Sequence, residues 1–200
     1  MVIQAEKTQD LRVRRTRHLL QQAFMELMRE KGFQSITVQD VAERAMVNRA
    51  TFYDHFVDKY DLLEYSIREW FKQTLFSKMP EDAPFSTENL QLIILTTCDF
   101  LSKLRGHCLP KDHEILPLVQ TQITTLITEI LLGWLSEEKL GEALAGTPPQ
   151  LAATITSWAI YGVALYWSQE DRRTSPQDFT TQVLPTILAS LNQRINAAVS

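Results

Sequence analysis

Apolar residues recur every three or four positions along almost the whole 200-residue chain, the spacing of helices that bury one face. Between about Leu11 and Lys31, the residues Leu19, Leu20, Ala23, Phe24, Leu27 and Met28 keep it. Tyr60, Leu62, Leu63, Tyr65, Ile67, Trp70, Phe71 and Phe76 keep it again. No run alternates apolar and polar residues, and no Asn-Gly or Asp-Gly pair marks a hairpin. The expectation is an all-α fold.

Punctuation divides this helical chain. Gly32 after Lys31 reads as the glycine that ends the first helix. Ser35 or Thr37 can cap a short helix carrying Val38, Val41, Ala42 and Ala45. A break at Met46–Val47 precedes a second short helix, from Asn48 or Arg49 to about His55. Asp58 can cap a longer helix ending near Phe76, and residues 79–86 read as a linker closed by Ser86 as a cap. Further helices are expected over about Thr87–Arg105, Asp112–Ser136 with a kink or restart at Pro117, and Leu151–Trp167 after a cap at Thr147. A last one starts after Ser175 and runs to about Ala197, kinked near Pro185. The division is placed after residue 60, giving units 1–60 and 61–200.

Charge narrows the function classes. The net charge of -4 argues against a general polyanion binder. Residues 1–60, however, hold 10 Lys+Arg against 8 Asp+Glu, and the remainder 10 against 16. The densest basic cluster is Arg12, Arg14, Arg15 and Arg17. One basic end on an acidic body is compatible with nucleic-acid binding by that end. No apolar run reaches the length of a membrane span and no apolar stretch follows the basic start, so a cytoplasmic protein is expected. Cys98 and Cys108 make no disulfide framework, and their spacing with His107 and His113 matches no zinc pattern. No metal, cofactor or catalytic grouping is called for, and an enzyme is not expected.

Residues 37–56 read as short helix, tight turn, short helix behind a longer helix, the helix-turn-helix arrangement whose second helix enters the major groove. Phe52 and Phe56 share an inward face. Asn48, Arg49, Ala50, Thr51 and Tyr53 then fall largely on other faces. Arg49 suits a guanine, and Asn48 suits an adenine or a phosphate. Tyr53, His55 and Lys59 are donors for phosphates, and Thr37 with Val38 at the helix start offers backbone N–H groups. Arg15 and Arg17 can follow the backbone or enter a minor groove. Phe52 and Phe56 alone fit any buried three-helix unit; the outward donors are what favour DNA.

At these residues the chain resembles the TetR family of transcriptional regulators. The resemblance runs from Arg15 to Leu63, about a quarter of the chain, and rests on Gly32-Phe33, Thr37, Val41-Ala42, Thr51-Phe52-Tyr53, His55-Phe56 and Lys59. Two positions depart from the family pattern. Met46 stands where glycine is common, so either the backbone avoids positive φ there or strain is accepted. Asn48 replaces a common serine or threonine and can still cap. Asp54, a carboxylate between two expected phosphate contacts, turns away, pairs with a cation, or accepts from a cytosine.

The resemblance implies a larger helical domain for effector binding and dimerisation. Aromatics of this half are most often packing. Phe71, Phe100, Trp134, Trp158 and Tyr161 are the candidates for an effector pocket, and Leu165, Leu184, Leu188 and Leu191 for a dimer interface. The reading is a homodimeric repressor that leaves a palindromic double-stranded operator when a small hydrophobic or aromatic effector binds. Its rivals are a TetR-like co-activator acting through a protein partner, a helical small-molecule carrier, and an enzyme with an unrecognised site.

Overall fold

A computed structural model describes residues 2–107, 115–136, 147–170 and 174–191. The expected helix start at Asp112, the helix end at Ala197, and Cys108 and His113 lie outside them, as does the side chain of His107. Among the described residues eight α-helices and no strand are found: α1 Val2–Lys31, α2 Val38–Arg44, α3 Arg49–Tyr53, α4 Lys59–Phe76, α5 Thr87–His107, α6 Leu116–Leu135, α7 Pro149–Gln169 and α8 Pro176–Ser190. α1 begins well before Leu11, since residues 2–10 contain neither glycine nor proline to stop it.

Most expected caps form. Thr37 Oγ1 accepts from the Asp40 N–H while Asp40 accepts from the Thr37 N–H at 2.7 Å, a reciprocal box that starts α2. Asp58 accepts from the N–H groups of Tyr60 and Asp61, Ser86 from Asn89, and Ser175 from Asp178. Thr147 does not cap α7, whose cap position is Pro148 with no side-chain bond. Pro117 falls in the first turn of α6, where its missing N–H removes no helical bond, so the helix starts there. Pro185 lies inside α8.

The chain divides into two compact units, and the division falls inside α4 between Ile67 and Arg68. The first unit packs α1, α2, α3 and the start of α4 around Leu20, Phe24, Phe33, Ile36, Val41, Phe52, Phe56 and Leu62, all buried. Edge-to-face contact of Phe33 with Phe24 and with Tyr60, centroids 6.2 and 4.9 Å apart, ties α1 to α4. On the rim, Arg44 of α2 reaches both carboxylate oxygens of Glu30 on α1 at 2.8 and 2.7 Å, and Lys31 pairs with Asp40 at 2.8 Å.

The second unit holds the rest of α4 with α5 to α8. Phe100 of α5 packs on Trp70 and Phe71 of α4. Thr128 of α6 donates to Ser157 of α7 at 2.7 Å, and Trp167 of α7 lies on Phe179 of α8. α6 is long and apolar enough to cross a membrane by length and composition, unlike the sequence expectation, yet 44% of its most apolar window is buried inside the protein. It carries Glu129, which pairs with Arg68.

The turn between α2 and α3 resolves the Met46 question. Val47 N–H donates to Ala42 O and Met46 N–H to Glu43 O, the paired bonds of a Schellman ending. That ending requires a left-handed residue, and Met46 supplies it with φ 55° and a side chain 90% exposed. Strain is accepted there. Met46→Gly should therefore raise the urea-unfolding free energy by about 1 kcal/mol, because glycine takes positive φ without the Cβ clash.

Candidate nucleic-acid interface

α3 has only five residues, so its position is set from outside. Asn48 Oδ1 accepts from the Thr51 N–H at 2.7 Å and from the Thr51 hydroxyl at 3.0 Å. Phe52 is fully buried, touching Tyr53 edge-on and Phe56 at 5.9 Å. The opposite face carries Arg49, Ala50 and Tyr53, all exposed. Arg49 Nη2 donates to the Tyr53 hydroxyl at 3.0 Å with its guanidinium over the ring. This one-turn pair holds a cation and a phenol side by side before any ligand is met.

Other expected contacts have different duties. The Lys59 ammonium donates to the carbonyls of Phe33, Gln34 and Ile36 at 3.2, 3.2 and 3.0 Å and lies 4.6 Å from the Phe33 ring centroid. Three carbonyls engage its protons, so Lys59 is a staple between the α1–α2 turn and α4. Arg17 is half-buried between the rings of Phe56 and Tyr65, each 5.5 Å away, and its Nη2 points at His55 O from 3.5 Å. Its Nε is buried without a hydrogen-bond partner. Arg17 thus braces the end of α3 instead of following a backbone.

Arg15 is exposed on α1. Thr37 is exposed and Val38 half-buried, but the Thr37 N–H and hydroxyl both donate to Asp40. The first-turn N–H groups of Val38 and Gln39 are the ones that the box does not use. The Asn48 oxygen is engaged by the cap, and its amide N–H₂ is the group left to donate. Asp40 is held well below the usual carboxylate range, first by Lys31 and then by Thr37. His55 is half-buried, and its imidazole is held below its ordinary value by burial and then by the Arg17 cation, with Asp54 opposing. Asp54 is exposed at the end of α3.

Of the residues expected to share an effector pocket, Phe71 and Phe100 touch, with ring centroids 5.2 Å apart. Phe71, Phe100 and Tyr161 are core residues of the second unit. Trp134 lines an open cleft with Arg68, Lys72 and Phe76. Trp158 is 52% exposed on α7. Of the expected dimer residues, Leu165, Leu184 and Leu188 are half-buried, whereas Leu191 is buried by its own unit. Sequence reasoning missed the exposed stripe of Leu151, Ile155, Trp158, Gly162 and Tyr166 along α7. Burial pushes the Cys98 thiol up to about 12, which keeps it protonated. Among the described residues no three His, Cys, Asp or Glu side chains converge on a metal site.

Residues 20–65 match the family profile described as bacterial regulatory proteins, tetR family. An uncharacterized HTH-type transcriptional regulator, YxbF of Bacillus subtilis (strain 168), is 44% identical over 64 residues, 32% of this chain and 17% of that relative's length. The match therefore spans under a fifth of the curated relative. In fold, the chain is similar to the transcriptional regulator FadR from Bacillus subtilis in complex with stearoyl-CoA, with TM-score 0.55, 22% identity, and 86% and 98% of the two chains covered. It is also similar to RolR in complex with resorcinol, with TM-score 0.53, 16% identity, and coverage of 92% and 96%.

Two measurements test these assignments. Lys59→Ala should cost about 2–3 kcal/mol of unfolding free energy through three lost charged hydrogen bonds. Arg49→Ala, on the outer face, should stay within about 0.5 kcal/mol. His55 gives a pH dependence. The unfolded imidazole titrates near its ordinary value and the folded one lower, so its contribution is present above about 6.5 and is lost as pH falls through the folded value. The urea midpoint should drop as pH falls below about 6.5, and drop less steeply in His55→Gln.

Proposed function

We infer, from a chain whose residues 20–65 form a tetR-family DNA-binding domain, that the protein is a DNA-binding transcriptional regulator. The observation that carries this reading is the outward pair Arg49–Tyr53 on a helix anchored by buried Phe52. α3 enters the major groove. The guanidinium has five N–H donors, so one bond to Tyr53 leaves enough for a guanine O6/N7 pair. The Ala50 methyl, beside it, suits a thymine methyl. Tyr53, His55, the Asn48 amide and the backbone at Val38 supply phosphate contacts, and Arg15 adds one from α1.

The amino-terminal unit binds DNA, and the larger unit dimerises and receives an effector. One short helix reads few bases, and a two-fold pair places two such helices on a palindromic operator. The exposed apolar stripe on α7, together with half-buried Leu165, Leu184 and Leu188, supports pairing of α7 and α8 with their copies. The protein acts in the cytoplasm as a repressor, and a small hydrophobic or aromatic effector favours a state with lower operator affinity. α4 is the lever, because it contributes residues to both units. The stearoyl-CoA and resorcinol bound by proteins of similar fold support a ligand-responsive body.

The test is operator selection from random duplexes, followed by mobility-shift titration at several salt concentrations. A two-fold symmetric site is expected, with affinity falling steeply as salt rises. Arg49→Ala should weaken that site by about 1–3 kcal/mol and relax one base position. Failure to enrich any sequence would overturn the reading.

A further inference from the structure

Arg49 and Tyr53 stand one turn apart on the outer face of α3, and they differ in stiffness. The Tyr53 side chain is a flat ring that packs edge-on against Phe52, centroids 5.5 Å apart, and Phe52 is fully buried. Its hydroxyl therefore projects from a ring with a fixed backing. Arginine is long and rich in rotamers, and an unsupported guanidinium gives up that freedom when it meets a base. Here the tip is already held. Nη2 donates to the Tyr53 hydroxyl at 3.0 Å, and the guanidinium carbon lies 5.5 Å from the ring centroid.

The holder is neutral, and this preserves the charge. Arg44 is held by the carboxylates of Glu26 and Glu30, which offset its cation. Arg17 is enclosed between the rings of Phe56 and Tyr65. Arg49 has the Tyr53 hydroxyl and ring as its partners, and neither is an anion. Its tip is placed without losing its attraction to a polyanion. The other hydroxyl of α3, on Thr51, is engaged by Asn48.

Donor counting leaves both groups open. Arg49 Nη2 keeps a second N–H and Nη1 has two, enough for the O6 and N7 of a guanine. The phenol accepts from Arg49 and keeps its own proton for a phosphate. One oxygen thus joins a backbone contact to a base contact.

We propose that Tyr53 is a positioning residue for base choice: its hydroxyl holds the Arg49 guanidinium in the pose that meets a guanine, so Tyr53 sets discrimination at a base pair it does not touch. This rests on the regulator reading, in which α3 enters the major groove, and gives Tyr53 a duty beyond a phosphate contact.

The experiment is fluorescence-anisotropy titration of the full chain on the duplex enriched by selection and on duplexes carrying each single base-pair change. Arg49→Ala marks the position that Arg49 reads, where the unaltered chain should prefer guanine by about tenfold or more. Tyr53→Phe keeps the ring and removes only the hydroxyl. It should cut the preference at that position by about threefold or more, beside a uniform loss on every duplex. Preferences at other positions should be kept. In the Arg49→Ala background, Tyr53→Phe should weaken all duplexes alike. If Tyr53→Phe leaves the preference at that position intact, Tyr53 is a phosphate contact only and the proposal is overturned. Relaxation of every position together overturns it too, because a loosened helix does that. So does an Arg49→Ala chain that keeps every preference. Failure to enrich any duplex removes the regulator reading and this proposal together, whereas an intact preference in Tyr53→Phe removes this proposal alone.

Discussion

A five-residue helix makes about one turn of its own hydrogen bonds, far below the length at which helices persist in water. α3 therefore exists only through its supports, and its supports decide which residues face out. Asn48 closes one end, buried Phe52 pins the inner face, and Arg17, wedged between Phe56 and Tyr65, braces the other end at His55 O. With those three points fixed, Arg49, Ala50 and Tyr53 have nowhere to point but outward. Interface geometry is a consequence of core packing here.

The same supports explain where residue types mislead. Lysine and arginine near a helix-turn-helix read as phosphate ligands, and Lys59 and Arg17 were natural candidates. Both are internal fasteners. Lys59 answers three carbonyls of the α1–α2 turn, and Arg17 fills a slot between two rings. Sequence spacing reports which face a residue shares, not which backbone oxygens lie within reach of a long flexible side chain. Short side chains were more legible. Thr37, Asn48, Asp58, Ser86 and Ser175 act as caps, where the side chain has little choice of partner.

The body was legible as helices and poorly legible as surfaces. α7 is apolar nearly all round, so periodicity cannot say which arc its own unit buries. Only packing separates Ile160, Tyr161 and Ala164, which are buried, from Leu151, Ile155 and Trp158, which are not. The cleft was invisible for a different reason. Arg68, Lys72, Glu129 and Gly133 are unremarkable singly, and they converge only because α4 and α6 lie side by side. Met46 shows the converse: the departure from glycine was visible in sequence, and its resolution needed the φ angle.

These observations make one account: a packed three-helix head presents a small donor-bearing face, and a larger helical body shares α4 with it. The central claim is that α3 reads base edges in the major groove. Dimethyl sulfate methylates guanine N7 on that groove floor, so a protection footprint on the selected site tests the claim directly. Guarded guanines in both half-sites, with one reopened by loss of the Arg49 side chain, is the predicted result. Full methylation at every guanine under saturating protein would contradict it.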